Sequence, residues 1–359
     1  MSLIVCIPYK KAGCFIRILQ SKGIDIYNKV EVRKVAKEHS VFVWMTGLLL
    51  IHFSDAASQD PAFSQFYANP LYMNPAMAGV EGSAKVYLGY RNQWPGAVNP
   101  YVTYHASYDQ YLDALQGGVG VHVGNDRQGG GVFNTLSVDA LYAYHLQVSS
   151  KLMISGGFQA SVGQRNMDPS DLVLPSELAG AGTTTLTSYA KIYPDFAVGF
   201  AGFYENFFGG VAVHHLLQPY GSPTEDPNTR LSRKYTAHLG AMIPIIEKRL
   251  GREVLQLSPH LIFMQQDIYQ QLNYGLEVLY RGIIIGAWFR QDLLFSYGTV
   301  IFSAGYGTGQ FRFRYSYDAK LSPPDLHIPT LGAHELSMVV IFENLKKSTK
   351  HRAIKCPKI

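Results

Sequence analysis

The stretch QFRFRYSYD, residues 310–318, alternates without a break: Phe311, Phe313, Tyr315 and Tyr317 fall on one face, Gln310, Arg312, Arg314, Ser316 and Asp318 on the other. A period of two places successive side chains on opposite sides of a strand. One side is aromatic and the other carries charge, so the strand separates two very different surroundings. A soluble sandwich would bury the aromatic side against a second sheet. A membrane barrel instead turns it to lipid and keeps the polar side for its lumen.

The same alternation recurs along the chain. In AKVYLGYRNQW, Ala84, Val86, Leu88 and Tyr90 oppose Lys85, Tyr87, Gly89 and Arg91; in YVTYHASYD, Val102, Tyr104, Ala106 and Tyr108 oppose Thr103, His105, Ser107 and Asp109. Leu272, Tyr274, Leu276, Val278 and Tyr280 alternate with Gln271, Asn273, Gly275 and Glu277, and Leu336, Met338, Val340 and Phe342 with Glu335, Ser337, Val339 and Ile341. Further strands are expected near residues 117–125, 133–148, 151–163, 195–204, 206–217, 234–244, 253–266, 283–291 and 297–305, which gives about fourteen, an even number as in single-chain bacterial barrels. The connections sort by parity. Odd ones include NDRQGGG, residues 164–192, QPYGSPTEDPNTR and LSPPDLHIPTLGA; even ones include the short turns VSS, YEN, RG and GTG, with QYLDALQ and IIEKRLGRE as longer exceptions. Long loops at one end and short turns at the other is the asymmetry of an outer-membrane protein. The expected fold is therefore all-β, a transmembrane outer-membrane β-barrel of about fourteen antiparallel strands.

Composition agrees. Of 359 residues, 47% are hydrophobic, 13% aromatic and only 16% charged, too apolar for a disordered chain. No run of about 18 apolar residues occurs, which argues against a helical bundle in the membrane. Basic residues 30–38, the apolar run VFVWMTGLLLIHF (residues 41–53) and the small residues of SDAASQ read as a secretory signal peptide cleaved near Ser58 and Gln59. The domain plan is thus an extension and signal peptide over 1–58, a pre-strand segment over 59–82, a barrel over 83–342 and a basic tail over 343–359. Residues 1–29 precede any sensible signal. The net charge of +5 belongs to the ends, since residues 59–342 hold 17 basic and 21 acidic side chains, and no nucleic-acid surface is indicated. Cys6, Cys14 and Cys356 lie outside the barrel region, which excludes Cys-based redox or zinc chemistry from it.

The opening QDPAFSQFYANPLYMNPAMAG (residues 59–79), followed by YRNQWPG (90–96), resembles the start of the PorP/SprF family, outer-membrane proteins of the type IX secretion and gliding system of Bacteroidetes. The similarity continues through GVGVHVGNDRQGG, FRFRYSYD and GAHELSMVV, and so spans the expected mature chain. Family members usually end at an aromatic residue after the last strand; Phe342 fits that place, and residues 343–359 extend past it. The resemblance implies a non-enzymatic barrel that works with periplasmic and outer-membrane components of the type IX machinery. It also implies assistance to export or surface attachment of secreted cargo such as adhesins. Loops 164–192 and 218–233 are expected to meet cargo.

Without the family, residues 59–82 still carry a signal. Asn69-Pro70 and Asn74-Pro75 break helix and strand, while Phe63, Phe66, Tyr67, Leu71 and Tyr72 form an apolar set that would not remain in water. Phe63, Phe66, Tyr67, Asn69, Pro70, Tyr72, Asn74 and Pro75 are therefore candidates for a lumen plug or for docking a periplasmic partner. Candidate lumen-lining residues are Lys85, Arg91, His105, Asp109, Asp139, Arg312, Arg314 and Asp318, with His145, Lys151, Glu277, Arg290 and Glu335 in the same rows. Both signs are present, which suits a salt-bridge lattice or a wet pore better than a one-signed ion filter. No HExxH, GxSxG or Walker-type motif occurs, and His214-His215, as strand neighbours, are expected to face opposite sides. Catalytic, cofactor and metal sites are therefore not expected. The alternative to a secretion role is an outer-membrane channel for small or hydrophobic solutes, since about fourteen strands enclose more room than side chains need fill.

Overall fold

The computed structural model describes residues 6–8, 14–16, 60–170, 187–222, 230–247, 254–295, 298–321 and 331–342. The chain forms two units, Met1–Ala56 and Ala57–Ile359. In the first, Cys6–Pro8 and Cys14–Ile16 pair antiparallel with Cys6 opposite Ile16. The expected signal peptide, its cleavage site and the basic tail lie outside the described residues.

The second unit is a closed antiparallel barrel. Its strands are β1 (Ala84–Gln93), β2 (Tyr101–Leu112), β3 (Gly117–Gln128), β4 (Phe133–Gln147), β5 (Leu152–Met167), β6 (Tyr189–Tyr204) and β7 (Phe207–His214). After β7 come β8 (Lys234–Ala241, resumed as Ile243–Glu247), β9 (Val254–Gln266), β10 (Tyr269–Tyr280), β11 (Ile283–Gln291), β12 (Gly298–Gly307), β13 (Phe311–Lys320) and β14 (Ala333–Phe342). The two pieces of β8 are one stave, because both pair with β9, Lys234 opposite Gln266 and Glu247 opposite Val254. Each strand pairs with its sequence neighbours. The ring closes where β1 meets β14, with Ala84 opposite Phe342 and Gln93 opposite Ala333. Closure leaves no edge, the condition for a sheet to stand in lipid.

Fourteen staves match the strands expected from alternation, and burial follows the same period. On β13, Arg314, Ser316 and Asp318 are buried while Phe311, Phe313 and Tyr315 are exposed. Tyr142, Tyr144, Tyr204, Phe207, Tyr280, Tyr306, Phe311 and Phe342 form an outward aromatic belt near the short-turn end. Such rings sit well at a membrane interface, apolar on their faces and polar at the tyrosine tips.

Several boundaries differ from the expectations. β2 continues to Leu112, so the first three residues of QYLDALQ are strand, and only Asp113–Leu115 and Gln116, which is left-handed at φ 51°, make the turn. β5 and β6 run on to Met167 and back to Tyr189, shortening the connection expected over 164–192. Their polar and proline-containing ends hide the alternation, but the ladder continues through Val162 opposite Pro194 to Met167 opposite Tyr189. Lys151, expected in the inward row, lies in the turn before β5 and pairs at the surface with Glu205 at 2.5 Å.

Candidate functional site

Residues 60–82 run through the interior of the barrel as three short turns, Phe66–Ala68, Pro70–Met73 and Pro75–Met77. The Asn-Pro steps explain this shape. Each proline opens a turn at a position where a missing N–H costs nothing, and each preceding asparagine leaves helical backbone (Asn69 φ −133°, ψ 68°; Asn74 φ −158°, ψ 119°). A segment of this kind cannot satisfy its own backbone, so the barrel wall must.

Wall residues from nearly every strand bond to the segment, some through its backbone and others through its side chains. The Glu335 carboxylate on β14 accepts from the Ser64 and Gln65 backbone N–H groups at 2.7 and 3.0 Å, just ahead of the first turn. Ser64 Oγ donates to Asp318 Oδ1 on β13 at 2.5 Å and also meets Arg91 Nη1 on β1. Arg91 pairs with Asp318 at 2.9 Å and with Glu335 at 3.1 Å; Arg290 on β11 pairs with Asp318 at 3.0 Å and donates to the Phe63 carbonyl at 2.6 Å. Here the two signs of the lumen rows form one buried network built around the segment.

The two asparagines are held on separate stretches of the wall. Asn69 accepts from Ser107 Oγ on β2 at 3.2 Å and lies 3.5 Å from His122 Nε2 on β3, whose Nδ1 is 2.7 Å from Asp139 Oδ2 on β4. Asn74 Nδ2 donates to the carbonyls of Phe200 on β6 and Val211 on β7 at 3.1 and 3.3 Å and lies 3.1 Å from His238 Nε2 on β8. Farther along, Ser155 Oγ donates to the Ala76 carbonyl at 2.7 Å, the Gly79 N–H donates to Asp109 Oδ2 at 2.6 Å, and His145 Nε2 is 2.9 Å from the Ala78 carbonyl. Apolar contacts fill the remainder: Phe66 and Tyr67 against Trp288, and Leu71 and Ala78 against Leu141 and Ala143. Arg314, paired with Glu277 at 3.0 Å, lies over the Tyr67 ring.

Of the segment candidates, Phe63, Phe66, Tyr67, Asn69, Pro70, Asn74 and Pro75 are buried and Tyr72 is half-buried. Lys85, Arg91, His105, Asp109, Asp139, Arg314 and Asp318 are buried on inward positions; Arg312 is half-buried, 3.9 Å from Glu81. Sequence reasoning missed Asp60, Ser64, Gln65 and His215. It also missed the inward glycines Gly118 and Gly157, where a Cβ would collide with the backbone of Ala78 and of Ala76. Glycine at alternate positions of strands otherwise rich in side chains was the available signal.

The end of the segment near the long connections is fixed by charge. Asp60 Oδ2 meets Lys234 Nζ at 2.6 Å and His215 Nε2 at 2.9 Å, and His215 Nδ1 meets Asp195 Oδ2 at 2.6 Å. β7 stops at His214, and His215 turns away with φ 58°, so the two histidines do not take opposite faces as strand neighbours would. Both border one chamber. Burial by itself would lower the His215 pKa, but Asp60 and Asp195 overcome it and push it up to about 9. Burial would raise Asp60, yet His215 and Lys234 hold it well below the usual carboxylate range.

The chamber, about 120 Å³, lies between the segment and the inward faces of β2 to β8. Among the described residues no three His, Cys, Asp or Glu side chains are grouped to hold a metal ion.

The family model described as type IX secretion system membrane protein PorP/SprF matches residues 55–340, which takes in the segment and the ring together. The chain belongs to the PorP/SprF family. No curated protein matches the sequence. Among solved structures, this PorP/SprF chain is similar to the Pseudomonas putida toluene transporter TodX (12% identity, TM-score 0.43, 79% of this chain and 94% of that one). It is also similar to the Acinetobacter baumannii outer membrane protein Omp33 (9% identity, TM-score 0.41, 73% of this chain and all of that one).

Proposed function

We propose that this PorP/SprF barrel is a plugged, non-enzymatic component of the type IX machinery that assists export or surface attachment of cargo by contact rather than by conduction. The observation that carries this reading is the occupied lumen: residues 60–82 bond to walls on all sides of the ring, which leaves a chamber and not a wide pore. Family membership supplies the secretion context. In this reading the connections after β5 and β7 meet cargo, while the short turns face the periplasmic partners. A channel for small solutes would need the segment to leave.

Comparative proteomics of the secreted and surface fractions, with and without the gene, tests the proposal once heat-modifiable migration in the outer membrane is confirmed. Selective loss of one or a few exported proteins with solute uptake intact is expected. An unchanged surface proteome with altered uptake would overturn it in favour of the channel.

A further inference from the structure

We propose that the chamber beside Asp60 and Tyr72 is a binding site for an uncharged, polyhydroxylated ligand, a sugar residue of a glycan. This goes beyond the secretion role and does not depend on it.

Room comes first. At roughly 10–15 Å³ for each ordered water, the 120 Å³ of the chamber corresponds to about ten waters, close to the dozen heavy atoms of one sugar ring. The chamber sits at the long-connection end, where Pro219, Gly221 and Leu231 border it, so a ligand reaches it from that side of the barrel.

Its chemistry narrows the class. The carboxylates on its wall already have partners: Asp60 and Asp195 meet His215, Asp60 also meets Lys234, and Asp139 meets His122. Asp126 accepts from Thr103 at 2.6 Å and from Gln128 at 2.7 Å. Each of these carboxylates thus already has an ionic or hydrogen-bonding partner, and the cations Lys234 and Arg165 stand on the same wall. What remains is a lining of hydroxyl and amide side chains, Thr135, Ser137, Gln159 and Ser161 among them, beside the rings of Tyr72 and Tyr193. Hydroxyl and amide groups both donate and accept, as sugar hydroxyls do, and an aromatic face suits the C–H side of a sugar ring.

An independent observation points to a missing partner. His214, only 5% exposed, borders the chamber with neither ring nitrogen bonded among the described residues, and His105 Nδ1 is likewise unbonded. Buried polar atoms are nearly always paired, and leaving one unpaired is costly. A neutral imidazole offers one donor and one acceptor, which a pair of vicinal hydroxyls can meet.

Saturation-transfer NMR on the full barrel in detergent tests this, in two arms. The first uses methyl glycosides of glucose, galactose, mannose and N-acetylglucosamine. The second uses the delipidated polysaccharide of the host lipopolysaccharide, so that a free sugar and a surface glycan are told apart. Transfer to ring protons is expected in at least one arm. His214→Ala and Gln159→Ala should each weaken it about ten-fold, the worth of one hydrogen bond, with heat-modifiable migration retained. Ser161→Trp, which fills the chamber while keeping His214 in the sequence, should abolish it. No transfer in either arm would mean a chamber that holds water only, and transfer undiminished in Ser161→Trp would place the sugar elsewhere; each overturns the proposal.

Discussion

Asp60 and His215 show how a single ionic contact decides where a loose segment ends. Asp60 stands at the start of the described segment, and its partners come from β8, from the residue after β7, and through His215 from β6. The raised His215 pKa makes its stabilisation complete below the usual histidine value of about 6.5 and lost as pH rises through about 9. The depressed Asp60 pKa makes its share present above the usual carboxylate range and lost only as pH falls through that lowered value. The contact therefore holds across neutral pH and fails first on the alkaline side. Cleavage of residues 60–70 by proteinase K in the folded barrel should accelerate above about pH 9. Asp60→Asn should cut readily at neutral pH, with the His215 titration in NMR moved down. A cleavage rate that stays flat from neutral to alkaline pH would exclude the latch. None of this was legible in the sequence, because His215 takes its place only once β7 has stopped one residue earlier.

At the scale of elements, the barrel and its filling were unequally legible. Period two exposes every strand whose two faces meet different surroundings, which is why fourteen staves could be counted. It fails at the ends of β5 and β6, where both faces are polar or proline interrupts. The Asn-Pro steps announced turns, but not which wall each asparagine would meet, since that depends on the shear of the closed sheet. The clearest trace of the fit lies in the glycines. Gly157 on β5 admits the backbone of Ala76, and Asn74 spans the carbonyls of β6 and β7. Gly157→Val should push the Pro75–Met77 turn off the wall, costing about 1–3 kcal/mol by overpacking. Asn74→Ala should cost a similar amount by leaving buried groups unpaired. Both effects are expected as faster proteolysis of residues 60–82 in a barrel that keeps its heat-modifiable migration. If either variant leaves the cleavage rate unchanged, the segment is not seated by these contacts.

For the whole molecule, the ring and the segment solve different problems. The backbone of the ring is paired strand to strand right round to β14 and β1, so the walls do not need the segment to stand in lipid. The segment, in contrast, has no sheet of its own and depends on the walls for the backbone partners its short turns do not supply. Removing it should therefore open the lumen without dissolving the barrel. Arg91, Arg290, Asp318 and Glu335 would still pair with one another across β1, β11, β13 and β14, so its loss strands no charge among them. In planar bilayers the intact chain should show little steady conductance. Deletion of residues 60–80, with residues 1–59 retained, should give a large ohmic one while strand content by circular dichroism is preserved. Steady conductance from the intact chain that the deletion leaves unchanged would mean that ions pass around the segment, and the plug would then have to be abandoned. A closed wild type and an open deletion would instead make the segment the sole barrier in the lumen, so that any transport role requires its displacement and any contact role does not.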